Sequence, residues 1–219
     1  MKNKLFWTII IFTSAIVACL LIVINYKDND YTRETTLNSI YSVKPTNIKL
    51  NINYEYKENN NQTQAKVYTS VKDLKSELSI KLLNTSYFKN YESLLIKNKD
   101  YCEIYIIPNG TTKNYSTNLD IQNSTNFLNT ITKPYIKASI LTNKNQTSIS
   151  HENLMDYKLL TPIKLANSNS IQVIKDYPDG SPNKKYRLLF SHNNIVYNIY
   201  NISDLEDTKT ITNSLFKTL

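Results

Sequence analysis

Residues 91–107 read YESLLIKNKDYCEIYII. Two runs rich in aromatic and β-branched residues flank Asn98-Lys99-Asp100, a polar cluster with room only for a tight connection. The spacing predicts a hairpin, with one strand over 91–97 and its partner over 101–107. The same signal recurs on both sides. Ile48, Leu50, Ile52, Tyr54 and Tyr56 alternate with polar residues, the period of a half-buried strand. ENNNQT (58–63) reads as a turn, and a strand follows from about Gln64 to Val71. KDL (72–74) then turns the chain, and Leu78, Ile80 and Leu82 open another alternating run. Further on, Tyr157–Thr161 and Ile171–Tyr177 read as strands, PDGSPN (178–183) as a loop, and Tyr186–Ser191, HNN and Ile195–Ile202 as a second hairpin.

Helical spacing is sparse. Leu37, Ile40 and Tyr41 share one face of a short helix that Pro45 stops. In NSTNFLNTI (123–131), Phe127, Leu128 and Ile131 share another, with Ser124 placed as its N-cap. Pro108-Asn109-Gly110 is a turn, and residues 135–150 fit neither period. The sum is a mainly β chain, about nine or ten antiparallel strands with two or three short helices. There is no βαβ alternation, which disfavours a parallel nucleotide-binding sheet, and no internal repeat.

Ahead of this lies an anchor. Leu5 to Ile24 carries no charge and follows Met1-Lys2-Asn3-Lys4. As a helix it would be roughly 30 Å long, enough to span a bilayer core, and the two lysines favour a cytoplasmic N-terminus. Two membrane readings stand. Ile16-Val17-Ala18-Cys19 has the form of a lipobox behind a basic, apolar leader, which makes Cys19 the lipidation site. Leu20 to Ile24, still apolar after the cysteine, suit an uncleaved single-pass helix instead. Either way the expected organisation is a signal or anchor over 1–24, a polar tether over 25–34 and one extracytoplasmic domain over 35–219, on the outer face of a bacterial membrane.

The chain has 219 residues and a net charge of +8. The positive charge is spread along it, which suits an anionic membrane or wall surface better than nucleic acid, for which no basic run or motif is present. Of two cysteines only Cys102 follows the leader, so the domain has no internal disulfide and Cys102 reads as a core residue. His151 and His192 have no second ligand at metal spacing, and no nucleophile or phosphate-loop motif occurs. No cofactor or metal is expected. Three near pairs of acids, Glu55 with Glu58, Glu152 with Asp156 and Glu206 with Asp207, border turns, where solvated carboxylates are the rule. The 17 tyrosines supply large apolar area with a polar rim, as strand cores do. The reading is a protein without a catalytic centre.

Such a protein acts by binding. Many long strands with few prolines leave at least one sheet edge unless the barrel closes, and an edge pairs with another chain. Ile195–Ile202 is long and uncharged, so Ile195, Tyr197, Ile199 and Tyr200 are the candidate partner-binding edge, for an envelope protein or for a second copy by strand exchange.

A lipobox-like leader, a short helix, long alternating strands, a mid-chain helix and terminal hairpins in IQVIKDYPDGSPNKKYRLLFSHNNIVYNIYNI, closed by NSLF, together resemble the LolA-like envelope lipoproteins. Within that family the layout looks most like the clostridial spore germination lipoproteins of the GerS type. The resemblance implies a curved antiparallel sheet, an incomplete barrel with helices on its concave side. It also implies a helper role beside a cortex amidase that modifies spore peptidoglycan, hence a spore membrane. The other role open within the family is a carrier of lipid or lipoprotein. No catalytic or binding residue carries over, because the shared pattern is one of layout.

Overall fold

A computed structural model describes residues 32–48, 55–58, 61–78, 80–83, 86–112, 128, 130–150, 157–165, 170–176 and 185–216. The chain divides into two compact units, 1–39 and 40–219. The leader, Cys19 and the tether up to residue 31 lie outside the described residues. Among the described residues no helix is long and apolar enough to cross a membrane.

Helix α1 covers residues 32–41, on the spacing of Leu37, Ile40 and Tyr41. The second unit is a curved, open antiparallel sheet. Its strands are β1 (Glu55–Glu58), β2 (Asn61–Tyr68), β3 (Tyr91–Lys97), β4 (Tyr101–Pro108), β5 (Tyr135–Leu141), β6 (Tyr157–Leu159), β7 (Ile163–Lys164), β8 (Ser170–Asp176), β9 (Lys185–His192) and β10 (Ile195–Ile202). Helix α2 (Val71–Glu77), a 3-10 turn (Ser86–Phe88) and helix α3 (Leu205–Phe216) complete it. The spatial order is β1-β2-β3-β4-β5-β10-β9-β8-β6, and β7 also pairs with β8.

The hairpin over 91–107 forms, with Lys97 opposite Cys102 and Tyr91 opposite Pro108. The β9–β10 turn is Asn193-Asn194, with φ of 52° and 59°. These left-handed values make the tight two-residue turn that matches strand twist, and asparagine tolerates them. Asn201, at φ 59°, sits where the β10 register slips between Ile199 and Ile202, a bulge that returns Ile202 to the same face as Ile199.

One face of the sheet carries the main core. Cys102, Ile104 and Ile106 of β4, Ile136, Ala138 and Ile140 of β5, and Ile195, Tyr197 and Ile199 of β10 meet Leu74 of α2, Leu78 at its C-cap, Phe88, and Ile211 and Leu215 of α3. The opposite face holds a smaller cluster, with Leu94, Ile96, Tyr105, Ile107 and Tyr135. With both faces buried, the central strands are apolar nearly throughout.

Three local readings are corrected. KDL is not a turn: Ser70 accepts a hydrogen bond from the Asp73 backbone N–H, and Asp73 Oδ2 accepts from the Ser70 hydroxyl, a reciprocal cap that starts α2. Leu78, Ile80 and Leu82 form no strand. Leu78 is the helix C-cap, and Leu82 N–H bonds the nearby Ile80 carbonyl, so the segment is a loop packed on the core. Residues 135–141, which fit neither period, are β5, central in the sheet. Of the strand expected over 48–56, Glu55 and Tyr56 begin β1, Ile48 has no regular secondary structure, and residues 49–54 lie outside the described residues. Of the helix expected over 123–131, most lies outside the described residues, with Leu128 helical and partly buried against the second cluster.

Candidate functional site

The proposed binding edge is not an edge. β10 pairs with β5 along one side, Ile195 opposite Ile140 through Tyr200 opposite Tyr135, and with β9 along the other. Ile195, Tyr197 and Ile199 point into the helix-bearing core, each at most 2% exposed. The reason is physical: a long, uncharged strand has its backbone groups satisfied on both sides and its side chains covered on both faces. The strands at the ends of the sheet order are β1 and β6. They are four and three residues long, with Lys57 in one and Lys158 in the other, and Pro162 follows β6. Short, charged strands of this kind resist unwanted pairing.

Tyr200 alone of the four lies on the other face, where the structure assembles a row that the sequence reading missed. It crosses five neighbouring strands. On β4 and β5, Lys137 Nζ lies 2.8 Å from Glu103 Oε1, and Tyr105 donates its hydroxyl to Glu103 Oε2 at 2.8 Å. The Lys137 ammonium also stands 5.8 Å from the centre of the Tyr105 ring. Tyr135 of β5 stacks on Tyr200 of β10, with centroids 4.9 Å apart and planes at 12°. The Arg187 guanidinium of β9 lies 4.5 Å over Tyr200 and holds Asp176 of β8 through Nε at 2.9 Å and a terminal nitrogen at 2.8 Å. The strand pattern positions every member: each projects from the same face, opposite the helix-bearing core. A sequence signal existed, the charges set among apolar residues in YCEIYII, YIKASIL, KYRLLF and IQVIKD.

Chemically the row is closed. Both cations face a carboxylate, and Glu103 already accepts from two side chains. The four charged side chains are 11–17% exposed, so the row rigidifies the sheet and presents little more than its rim to solvent. Its aromatic and guanidinium planes suit recognition better than proton transfer.

The other candidates fall where the fold uses them structurally. Cys102 is buried, and burial pushes its thiol up to about 12, so no thiolate is present at neutral pH. Glu206 and Asp207 occupy the first turn of α3. Asp207 Oδ2 accepts from the Ser203 hydroxyl, while its backbone N–H bonds Asp204 Oδ1 at 2.8 Å, making a helix cap. His192 ends β9, and burial lowers its pKa. The side chains of Glu55 and Glu58, and residues His151, Glu152 and Asp156 entirely, lie outside the described residues. Among the described residues no three His, Cys, Asp or Glu converge as metal ligands would. Comparison with family models, curated proteins and solved structures returns no match.

Proposed function

We propose that this chain is a membrane-tethered extracytoplasmic protein of the LolA-like type that acts by binding another envelope protein and carries no catalytic centre. One observation supports this most: an open, curved antiparallel sheet with α2 and α3 packed on one face, the kind of architecture that the sequence resemblance implies. By the closer GerS-type resemblance the partner is an N-acetylmuramoyl-L-alanine amidase of the spore cortex. The packing favours a protein partner over a lipid cargo. Leu74, Leu78, Phe88, Ile211 and Leu215 fill the helix-bearing face and are at most 1% exposed, so a lipid chain would have to displace helices to enter. With β10 interior, the partner surface does not lie on that strand.

The test is capture of the tethered full chain from its native membrane after cross-linking. An amidase in the captured set is the expected result. Peptidoglycan cleavage by the purified chain alone overturns the non-catalytic reading, and a stoichiometric lipid in the detergent-free domain overturns the choice of partner.

The tether is tested separately. Intact-mass analysis of membrane-extracted protein is expected to give a mature species that begins at Cys19 and carries acyl mass. A species beginning at Met1, unchanged in Cys19→Ala, makes the leader a single-pass helix and leaves the domain's location as it is.

A further inference from the structure

Residues 41–48 carry a device of their own. Tyr41 ends α1, and residues 42–48 run on without regular secondary structure. Tyr41 reaches the face of the sheet opposite the helices, where its hydroxyl accepts from Asn198 Nδ2 at 3.3 Å. At the end of the sheet, Lys44 N–H bonds Asn194 Oδ1 of the β9–β10 turn, and Thr46 N–H bonds the Leu141 carbonyl at the end of β5. Ile48 then packs in the helix-bearing core. The segment is therefore a strap from one face to the other. Ile149, in the loop after β5, also donates its N–H to the Tyr41 carbonyl.

Beneath its first residue lies an anomaly. Asn198 is 2% exposed in the middle of β10, and its Oδ1 has no hydrogen-bond partner. A buried amide oxygen left unpaired disfavours the closed arrangement; the same oxygen is satisfied by water once the cover lifts. An apolar residue at this position would hold the strap down better. On this face Asn198 lies between Leu189 of β9, which is apolar and fully buried, and Lys137 of β5, which is ion-paired to Glu103.

We propose that residues 41–48 are a releasable strap, which detaches as a unit while the sheet stays folded, and that Asn198 is the residue that biases it towards release. Detachment frees eight residues, which in extended form span roughly 27 Å. On the membrane-tether reading that lengthening lets the sheet stand further from the bilayer; the release itself does not depend on that reading.

Native-state hydrogen exchange on the full chain in detergent micelles tests this. The amides of Thr46 and Ile149, one on the strap and one donating to it, are expected to exchange at a common rate, on the order of 100-fold faster than the interior amides of β5 and β10 and insensitive to low denaturant. Asn198→Val is expected to slow Thr46 and Ile149 about tenfold relative to the interior amides of β4, because the closed state no longer buries an unpaired oxygen. Tyr41→Phe, which leaves both arms of the Asn198 amide unpaired, is expected to speed them by a similar factor, and it decides the matter if Asn198→Val fails to fold. Exchange of Thr46 and Ile149 at the rate of the β10 amides overturns the strap. No change, or faster exchange, in folded Asn198→Val overturns the role of Asn198.

Discussion

Asn198→Pro abolishes cooperative folding of the domain or halves its denaturation midpoint. β10 has a neighbour on each side, with Asn198 opposite Lys137 of β5 and opposite Leu189 of β9. The Asn198 N–H points to one of them, and in either case proline removes a ladder bond from the middle of the sheet and adds a ring where the neighbouring backbone runs about 5 Å away. The expected loss is roughly 3 kcal/mol or more, against a total stability of about 5–15 kcal/mol for a domain of this kind. Urea denaturation of the full chain in micelles, followed by far-UV circular dichroism, measures it. A shift within about 0.5 kcal/mol, as at an exposed edge, would mean that β10 is not interior. The comparison with Asn198→Val is informative, since that variant removes the same side chain and keeps the N–H. If the two behave alike, the amide side chain carries the effect and the ladder does not.

That β10 is interior exposes a limit of pattern reading. A period of two tells which residues share a face; it says nothing about which strand lies beside which. Absence of charge looks like an invitation to pair, yet it is the mark of a strand whose pairing is already complete. Edges show the opposite signs, and β1 (EYKE) and β6 with Lys158 and the following Pro162 carry them. The hairpins over 91–107 and 186–202 were legible because their strands and turns are local. β5 was not, because YIKASIL is covered on both faces and has no alternation to read. α2 was missed although Ser70-Val71-Lys72-Asp73 is a capping signature, since three residues of turn-like composition outweighed it. The ion-paired row was legible only as charges set among apolar strand residues. Its existence depends on β5 lying between β4 and β10, a pairing of segments about sixty residues apart in sequence that no local window contains.

Tyr197 gives the sharpest test of the core, because an edge residue and a core residue predict opposite results at the same position. Its ring stacks on Phe190 of the neighbouring strand, with centroids 5.2 Å apart and planes at 14°. Its hydroxyl accepts from the Leu83 N–H at 3.3 Å, in a buried contact that fastens the loop after α2 to the sheet. Lys75 of α2 donates to the Leu83 carbonyl at 2.8 Å, so both backbone groups of Leu83 are held. Tyr197→Ala removes the ring, the stack and the acceptor together and is expected to destabilise the domain by about 3–5 kcal/mol. Tyr197→Phe keeps the ring and leaves the Leu83 N–H buried without a partner, for an expected loss of about 1–3 kcal/mol. The order matters more than either value. Packing predicts that Ala costs well over Phe, whereas a loop held only by its hydrogen bond predicts that the two are equal. Equilibrium denaturation of the three proteins under one set of conditions separates these outcomes. If both substitutions leave stability unchanged while partner capture fails, Tyr197 is a surface residue after all and the position of β10 in the sheet is wrong.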